Sequence, residues 1–451
     1  MLNRFTKNFN RKWIIPIVIL LGIGLFFLPP VYSRVMPRLE VWILEPLRLR
    51  FNPPEEAVFQ PSGASPTQTK SSDGISTQTP SPSPEATETP TQGPTLTPTI
   101  TSTPLPDSVI LKGIRYEDQH NRWNYCGPAN LSMALNYLGW NGNRDVIAKA
   151  VKPGIQDPKL DFIQQGRSDV NVMPYELVDY VNDETEFRAV SRLGGNIDVI
   201  KKLLSANFPL IAEKGYYEKN YAGKIVWLGH YQFVTGYDDA RGELIVQDTW
   251  NDGPNFHIKY EDFMAPEAWL SFDGLFIVVY KPEREAELMQ ILGPYADSQW
   301  AAKYALTIAE EHILTTKGID QFFAWFAKGT SHVELFEYQD AAVAFDQAFS
   351  IYSNIGKDDI KRPYEMMWYQ TGPYKAYFYS GRYQDVIDLA NVTLYETISK
   401  PTLEESLYWR GQAYYMIGNT KSAVDDYREA LRLHPNWAPA IQALQDLGIQ
   451  P

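Results

Sequence analysis

The feature that most limits what this chain can fold into is a segment rich in proline, serine and threonine between residues 61 and 107. It includes the runs STQTPSPSPEATETP and PTLTPTITSTPLP, which hold few large apolar side chains. Such a segment cannot bury enough apolar surface to offset the loss of chain entropy on folding, and its prolines favour extended conformations. The sequence therefore predicts a disordered stalk over 61–107, followed by the main folded body.

An apolar run precedes this stalk, WIIPIVILLGIGLFFLPPVY from 13 to 32. About 20 apolar residues in a helix are enough to cross a hydrocarbon core of about 30 Å, and the basic residues before the run favour a cytoplasmic N-terminus. A cleaved signal peptide is the alternative interpretation. The sequence predicts a cytoplasmic tail over 1–12, a transmembrane signal anchor over 13–32 and a juxtamembrane segment over 33–60. On this interpretation the chain is a single-pass protein of a bacterial cell membrane, with its body outside the cytoplasm.

Composition and charge argue against several kinds of site. The formal net charge of −13 argues against a nucleic-acid partner, because such binding depends mainly on Lys and Arg. Cys126 is the only cysteine, which excludes an intramolecular disulfide and a cysteine-cluster zinc site. No two of the six histidines are four residues apart. We therefore expect neither a metal nor a cofactor.

The predicted secondary structure of the folded body changes near residue 283. Strand-like runs such as IVWLGHYQFVTGY and GLFIVVY occur within 108–282 together with a few helical stretches, whereas alanine-rich amphipathic helices dominate 283–451. The sequence therefore predicts an α+β domain over 108–282 and an all-α domain over 283–451.

Three segments of the helical part can be aligned on Tyr338, Tyr383 and Thr420. An apolar residue follows each of them at the third and again at the seventh position: Ala341 and Phe345, Val386 and Ala390, Ala423 and Tyr427. The spacings of 45 and 37 residues lie loosely around the roughly 34 of a tetratricopeptide repeat, and the third unit resembles that repeat most closely. Stacked helix pairs of this kind usually bind a peptide or a protein partner. Simple packing against the other domain is the alternative.

Cys126 lies at the predicted start of a helix. It is followed by Gly-Pro, then by Leu131, Leu135 and Leu138 at helical spacing, and Gly139 suits the far end. The unpaired N–H groups and the dipole at a helix start favour a thiolate over a thiol, which makes a cysteine a usable nucleophile. A buried structural cysteine is the alternative.

His230 is the histidine best placed to serve such a cysteine. It lies at the predicted start of the strand GHYQFVTGY, and after the turn DDARG the strand ELIVQD ends on Asp248. A turn centred near Ala240 would place Asp248 diagonally close to His230 on the neighbouring strand. A carboxylate in that position could orient the imidazole. A structural strand histidine is the alternative.

These blocks together resemble a known peptidase family. QHNRWNYCGPANLSMALNYLGW, GHYQFVTGYDD and IVQD resemble the papain-like, bacteriocin-processing peptidases that cleave double-glycine leaders, and most closely their stand-alone extracellular relatives. The resemblance covers 108–282 and implies a papain-like cysteine peptidase domain there. It implies Cys126 as nucleophile, His230 as general base and acid, Asp248 as the residue that orients His230, and Gln119 as a donor to the oxyanion.

The expected function is a membrane-anchored extracytoplasmic cysteine peptidase that hydrolyses peptide bonds through a Cys-His-Asp triad. Its expected partners are a peptide or protein substrate, the membrane through the N-terminal helix, and a protein bound to the repeats. Two alternatives remain open. One is a catalytically inactive papain-like scaffold that binds peptides, and the other is an amidase or transpeptidase acting on cell-wall peptides. The double-glycine preference of the family is not carried over, so the substrate sequence stays open.

Overall fold

A computed structural model describes most of the body and short parts of the N-terminal region. The described residues are 24, 28–44, 47, 50, 59–63, 104–151 except 121 and 123, 171–219, 225–250, 252–355, 362–396 and 403–451. In the N-terminal region they form one helix, α1 (Pro29–Leu39), which continues into a π-helical turn over Glu40–Leu44. The tail predicted over 1–12 and most of the stalk predicted over 61–107 lie outside the described residues, so both stay predictions.

The membrane anchor predicted over 13–32 is not supported. Among the described residues, no helix combines the length and the apolar character that crossing a membrane requires. Most of the apolar run lies outside the described residues, and α1 has only 11 residues, including Arg34 and Arg38. At about 1.5 Å per residue, such a helix is about half as long as a hydrocarbon core is thick. By this finding, the prediction of a single-pass membrane anchor is wrong.

A seven-stranded sheet forms the centre of the first folded part. Its strands are β1 (Ser108–Ile110), β2 (Arg188–Arg192), β3 (Leu210–Lys219), β4 (Ile225–Asp238), β5 (Glu243–Gln247), β6 (Phe256–Lys259) and β7 (Phe276–Tyr280). The order is β2-β7-β3-β4-β5-β6, with β1 beside the far end of β4, and the pairs are antiparallel. The long central strand β4 is rich in β-branched and aromatic residues, which suit a half-buried pleated surface.

Helices cover both faces of this sheet. They are α2 (Cys126–Leu138), α3 (Arg144–Val151), α4 (Pro174–Glu184), α5 (Ile197–Ser205) and the short α6 (Tyr260–Phe263). Because successive side chains of a strand point to opposite faces, neighbouring residues of β4 enter different cores. Phe233 packs with Leu131 of α2, and Val234 packs with Leu203 of α5. The predicted mixed α/β domain is confirmed.

The second folded part is helical. After β7 the described residues form no further strand, and the helices are α7 (Glu285–Leu292), α8 (Ser298–Thr315), α9 (Gly318–Glu334), α10 (Tyr338–Asn354), α11 (Met366–Tyr369), α12 (Gly372–Tyr379), α13 (Tyr383–Asn391), α14 (Glu404–Met416), α15 (Thr420–Leu433) and α16 (Ala438–Asp446). Tyr338, Tyr383 and Thr420, the residues aligned in the sequence, begin α10, α13 and α15. The residues before them share nearly the same backbone conformation, with φ of −91° and ψ of 59° to 65°. The predicted helical region is also confirmed.

The helical region packs directly against the sheet through an aromatic cluster. Trp227 of β4 lies 5.5 Å from Phe272 and 5.7 Å from Phe323 of α9, measured between ring centroids. Tyr369 at the end of α11 meets the edge of the same indole at 5.8 Å. The helical repeats therefore share a hydrophobic core with one end of β4.

Asp273 makes the contact between the two parts sensitive to pH. It is buried, and its Oδ2 accepts a hydrogen bond of 2.8 Å from the Ser331 hydroxyl of α9. Burial raises the pKa of Asp273 from 3.8 to about 7. The hydrogen bond from Ser331 opposes this increase, and the negative charge of Glu334 adds to it. Because the folded pKa is raised, the proton on Asp273 stabilises the fold fully below about pH 4, and this contribution is lost as the pH rises through about 7.

Asp273→Asn should therefore stabilise the protein at alkaline pH. The residue has a positive φ of 57°, which asparagine tolerates well, and the amide carries no charge to bury. We expect the free energy of unfolding to rise by about 1–3 kcal/mol at pH 8, and by clearly less at pH 5. Urea denaturation of both proteins at the two pH values measures this. An equal difference at pH 5 and pH 8 would contradict the assignment.

Candidate active site

Cys126 is the first residue of α2, as the sequence predicted. Asn130, one turn later, fixes this helix start because its Nδ2 donates to the carbonyl oxygens of Cys126 and Tyr231, both at 2.8 Å. The helix ends at Gly139, which has a φ of 108° and so adopts the left-handed conformation that favours glycine. Cys126 is half-buried, and Asn130 ties its carbonyl to that of Tyr231, the residue after His230 on β4.

His230 lies in the middle of β4, not at its start as predicted, because the strand begins at Ile225. The ring is 5% exposed, and its Nε2 lies 3.2 Å from Oδ2 of Asp248. The edge of the Tyr216 ring packs against the imidazole at a centroid distance of 5.6 Å. His230 is thus held between a carboxylate and an aromatic ring.

Asp248 directly follows the end of β5 at Gln247. A β-bulge between Val234 and Gly236 shifts the register of β4 and β5 by one residue. Gln232 donates from Nε2 to Oδ2 of Asp248 at 2.7 Å, and the backbone N–H of Trp250 donates to Oδ1 at 2.8 Å. The carboxylate is therefore fixed from two sides while it faces His230.

The opposite charges of His230 and Asp248 stabilise each other. Burial alone would lower the pKa of His230, but hydrogen bonds with the side chains of Asp248 and Cys126, and the charges of both, raise it to about 10. Burial would likewise raise the pKa of Asp248, but the hydrogen bond and charge of His230, with the Gln232 and Trp250 hydrogen bonds, hold it well below its usual range. Both shifts favour a protonated imidazole beside an ionised carboxylate.

Gln119 lies beside the loop that follows Asp248. Its backbone N–H donates to the carbonyl of Thr249 at 2.8 Å, and its side-chain Oε1 accepts from the Thr249 hydroxyl at 2.7 Å. Thr249 directly follows Asp248, so both bonds tie Gln119 to the loop that holds the carboxylate. With Oε1 engaged, the Nε2 amide group is the end that could donate to another group.

A cavity of about 70 Å³ opens beside His230. Its lining residues are Lys214, Tyr216, His230, Gln232, Asp248, Trp250 and Asp252. Lys214 lies opposite His230 in the register of β3 and β4. Burial lowers the pKa of Lys214, and carboxylates that include Asp248 and Asp252 oppose this effect.

Sequence reasoning found His230 and Asp248 among these lining residues but missed the other five. Gln232 could have been found, because it is two residues after His230 and so points to the same face of the strand. Lys214 could not, because its place depends on how β3 pairs with β4.

The helical region also reaches the site. The Tyr369 ring packs over Gly229, the residue before His230, so closely that a Cβ on Gly229 would lie 2.6 Å from its Cδ1. Hydrogen bonds fix the residues on both sides of Tyr369: Asn171 donates to the carbonyl of Trp368 at 2.8 Å, and Gln370 donates to the carbonyl of Ser271 at 2.7 Å. Since Tyr369 is 139 residues beyond His230, the sequence offers no local signal for this contact.

Two parts of the chain match models of known protein families. Residues 111–275 match the model of the Peptidase_C39 like family. This part of the chain is similar to that family. Residues 404–437 match the tetratricopeptide repeat, and this range contains the third aligned unit. The predicted resemblance to a peptidase domain followed by tetratricopeptide-like repeats is confirmed.

Two solved structures are similar to the C39-like domain. One, from Bacillus anthracis and assigned as a C39-like peptidase, shows 18% identity and a TM-score of 0.30, covering 39% of this chain and 98% of its own. The other is xylellain, a cysteine protease from Xylella fastidiosa, with 15% identity and a TM-score of 0.26, covering 40% of this chain and 87% of its own. No curated protein matches the sequence. The family match supports a peptidase.

Proposed function

We propose that this chain is a cysteine peptidase that hydrolyses peptide bonds, with the catalytic domain over 108–282 and the helical region over 283–451. Cys126 is the nucleophile, His230 the general acid and base, and Asp248 the residue that orients His230. The helical region binds the substrate or a protein partner. The observation on which this proposal depends most is the buried ion pair of His230, whose Nε2 lies 3.2 Å from Oδ2 of Asp248.

The first half of the reaction uses the charges of the resting site. Because the imidazole is protonated at neutral pH, it pairs with the Cys126 thiolate, which attacks the carbonyl carbon of the scissile bond. His230 then gives its proton to the leaving amine as the bond breaks. In the second half His230 takes a proton from water, and the resulting hydroxide releases the acyl group from the sulfur. Asp248 keeps one ring nitrogen occupied, so that the other faces the sulfur.

The oxyanion needs donors that are in place before the attack. We assign this role to the backbone N–H of Cys126 and to Nε2 of Gln119. The hydrogen bond from Thr249 to Oε1 supports the assignment, because it leaves the amide N–H₂ of Gln119 as the free end. The buried position of Gln119 further limits how far its amide can turn.

Incubation of the full chain with a synthetic peptide library, followed by mass spectrometry, tests this proposal. Wild type should generate new peptide termini at a defined set of sequences, and Cys126→Ala should generate none, because the alanine has no nucleophile. The loss should exceed about 10⁴-fold in kcat/KM for any peptide that wild type cleaves.

Cys126→Ser is the matched control, since it keeps the size of the side chain and removes most of its nucleophilicity at neutral pH. Equal cleavage by wild type and both variants would show that a contaminating protease is responsible. A folded wild type that cleaves no library peptide would favour the binding scaffold instead.

A further inference from the structure

Residues 59–63, Phe-Gln-Pro-Ser-Gly, lie on the surface of the helical region although they are about 300 residues away in the sequence. Phe59 is 4% exposed, and its ring fits between two aromatic rings of that region. The centroid distances are 5.0 Å to Phe349 of α10, with an edge-on contact, and 5.9 Å to Tyr377 of α12. Pro61 is also buried, whereas Gln60 faces the solvent. Phe59 and Pro61 therefore face the helices while Gln60 between them faces the solvent, as in a bound extended peptide.

The polar part of this contact converges on one carboxylate. The backbone N–H of Ser62 donates to Oδ1 of Asp385 at 2.8 Å, and the Ser62 hydroxyl donates to Oδ2 at 2.7 Å. Arg382 holds that carboxylate in place, because its Nε donates to Oδ2 at 2.7 Å. Its two terminal nitrogens donate to Asp346 at 2.8 and 3.0 Å. Hydrogen bonds to an ionised acceptor are stronger than neutral ones and more demanding in geometry.

The structure leaves no room for a side chain at Gly63. A Cβ at this position would lie 2.7 Å from Oδ2 of Asp346 and 3.1 Å from Nη1 of Arg382. Any larger residue would disturb the ion pair that positions Asp385. The surface that contacts residues 59–63, here called the groove, is formed by Asp346, Phe349, Tyr377, Arg382 and Asp385. The groove recognises four of the five positions: an aromatic ring, a proline, a serine through two hydrogen bonds, and a glycine.

We infer that the helical region contains a binding site for short peptides of the form Phe-x-Pro-Ser-Gly and that residues 59–63 occupy it in cis. This site is separate from the triad and does not depend on the proposed catalysis. The forty residues from 64 to 103 connect the bound segment to the peptidase domain. Because the segment belongs to the same chain, its binding is intramolecular, with an effective concentration on the order of mM. Another peptide of the same chemistry therefore binds efficiently only when the cis segment is displaced or weakened.

A fluorescein-labelled peptide of residues 57–65, AVFQPSGAS, tests this inference on the full-length chain. In the double variant Phe59→Ala, Ser62→Ala the cis segment should no longer hold the groove. The peptide should then bind saturably by fluorescence anisotropy, with a Kd at least about 10-fold lower than for wild type, where the tethered segment competes. Gln60→Ala is the matched control, because its side chain is exposed, and it should bind the peptide as weakly as wild type.

Two further binding measurements test whether the peptide binds at this site. Adding Asp385→Asn to the double variant should weaken peptide binding at least about 10-fold, since it removes the charged acceptor. The same peptide with alanine in place of Phe59 and Ser62 should not bind. Ser62→Pro keeps the apolar anchor Phe59 and removes both the N–H and the hydroxyl donor to Asp385. It should also allow labelled peptide to enter if the double variant does not fold. The inference is overturned if folded variants, checked by circular dichroism, bind no peptide at about 1 mM, or if wild type binds it equally well.

Discussion

His230→Ala should lower kcat/KM for peptide cleavage by about 10³–10⁴-fold while the chain remains folded. The substitution removes the charge that favours the Cys126 thiolate and the proton that the leaving amine needs. Both losses act on the same transition state, so kcat should fall much more than KM rises. The measurement is steady-state cleavage of a peptide that wild type cleaves, with urea denaturation to check the fold.

His257→Ala is a matched control for this variant. His257 also pairs with a carboxylate, Glu243, at 3.1 Å, but on the exposed outer part of the sheet. It should change kcat/KM by less than about 2-fold, because surface pairs of this kind contribute little to stability. If both histidine variants lose activity equally, the effect comes from the fold and His230 has no special role.

Asp248→Asn should lower kcat/KM by about 10²–10⁴-fold. Oδ1 of Asp248 accepts from the Trp250 N–H, and Oδ2 accepts from Gln232 and faces His230. An asparagine must place its N–H₂ group at one of these two positions, so it opposes a donor in either orientation. The carboxylate also contributes to the raised pKa of His230, so the variant should lower the pH at which activity is lost on the alkaline side.

The pH profile separates this positioning role from simple loss of stability. Asp239→Asn is the control, since Asp239 lies in the turn after β4 and accepts from Tyr260 and Lys201. It should leave both kcat/KM and the pH profile unchanged. An Asp248→Asn enzyme with reduced activity but the wild-type profile would contradict the orienting role.

The parts of the fold that could be predicted are those with local signals. The start of α2 at Cys126 and its end at Gly139 follow from Gly-Pro, leucine spacing and a terminal glycine within 14 residues. The three aligned repeat positions begin helices for a similar reason, because each unit carries its own apolar spacing. His230 and Asp248 lie on one hairpin, so a short turn was enough to bring them close.

The parts that could not be predicted depend on distant pairing. Lys214 reaches the site through the register of β3 and β4, and Tyr369 reaches it through packing of the helical region on Gly229. The sequence predicts a juxtamembrane segment over 33–60, but Phe59 of that range packs among aromatic residues of the helical region. None of these contacts has a periodicity or a motif in the sequence. The hydropathy of the sequence also predicts a membrane anchor, which the described residues do not support.

The most direct test of the central claim is the rate at which iodoacetamide alkylates Cys126 at pH 7. Because Cys126 is the only cysteine of the chain, intact-protein mass spectrometry reports on this residue alone. An activated thiolate should react at least about 10-fold faster in the folded wild type than in the same chain unfolded in urea, where a free cysteine has a pKa of about 8.5. In His230→Ala this advantage should disappear. A folded wild type that reacts no faster than the unfolded chain would contradict the claim that His230 and the start of α2 activate Cys126.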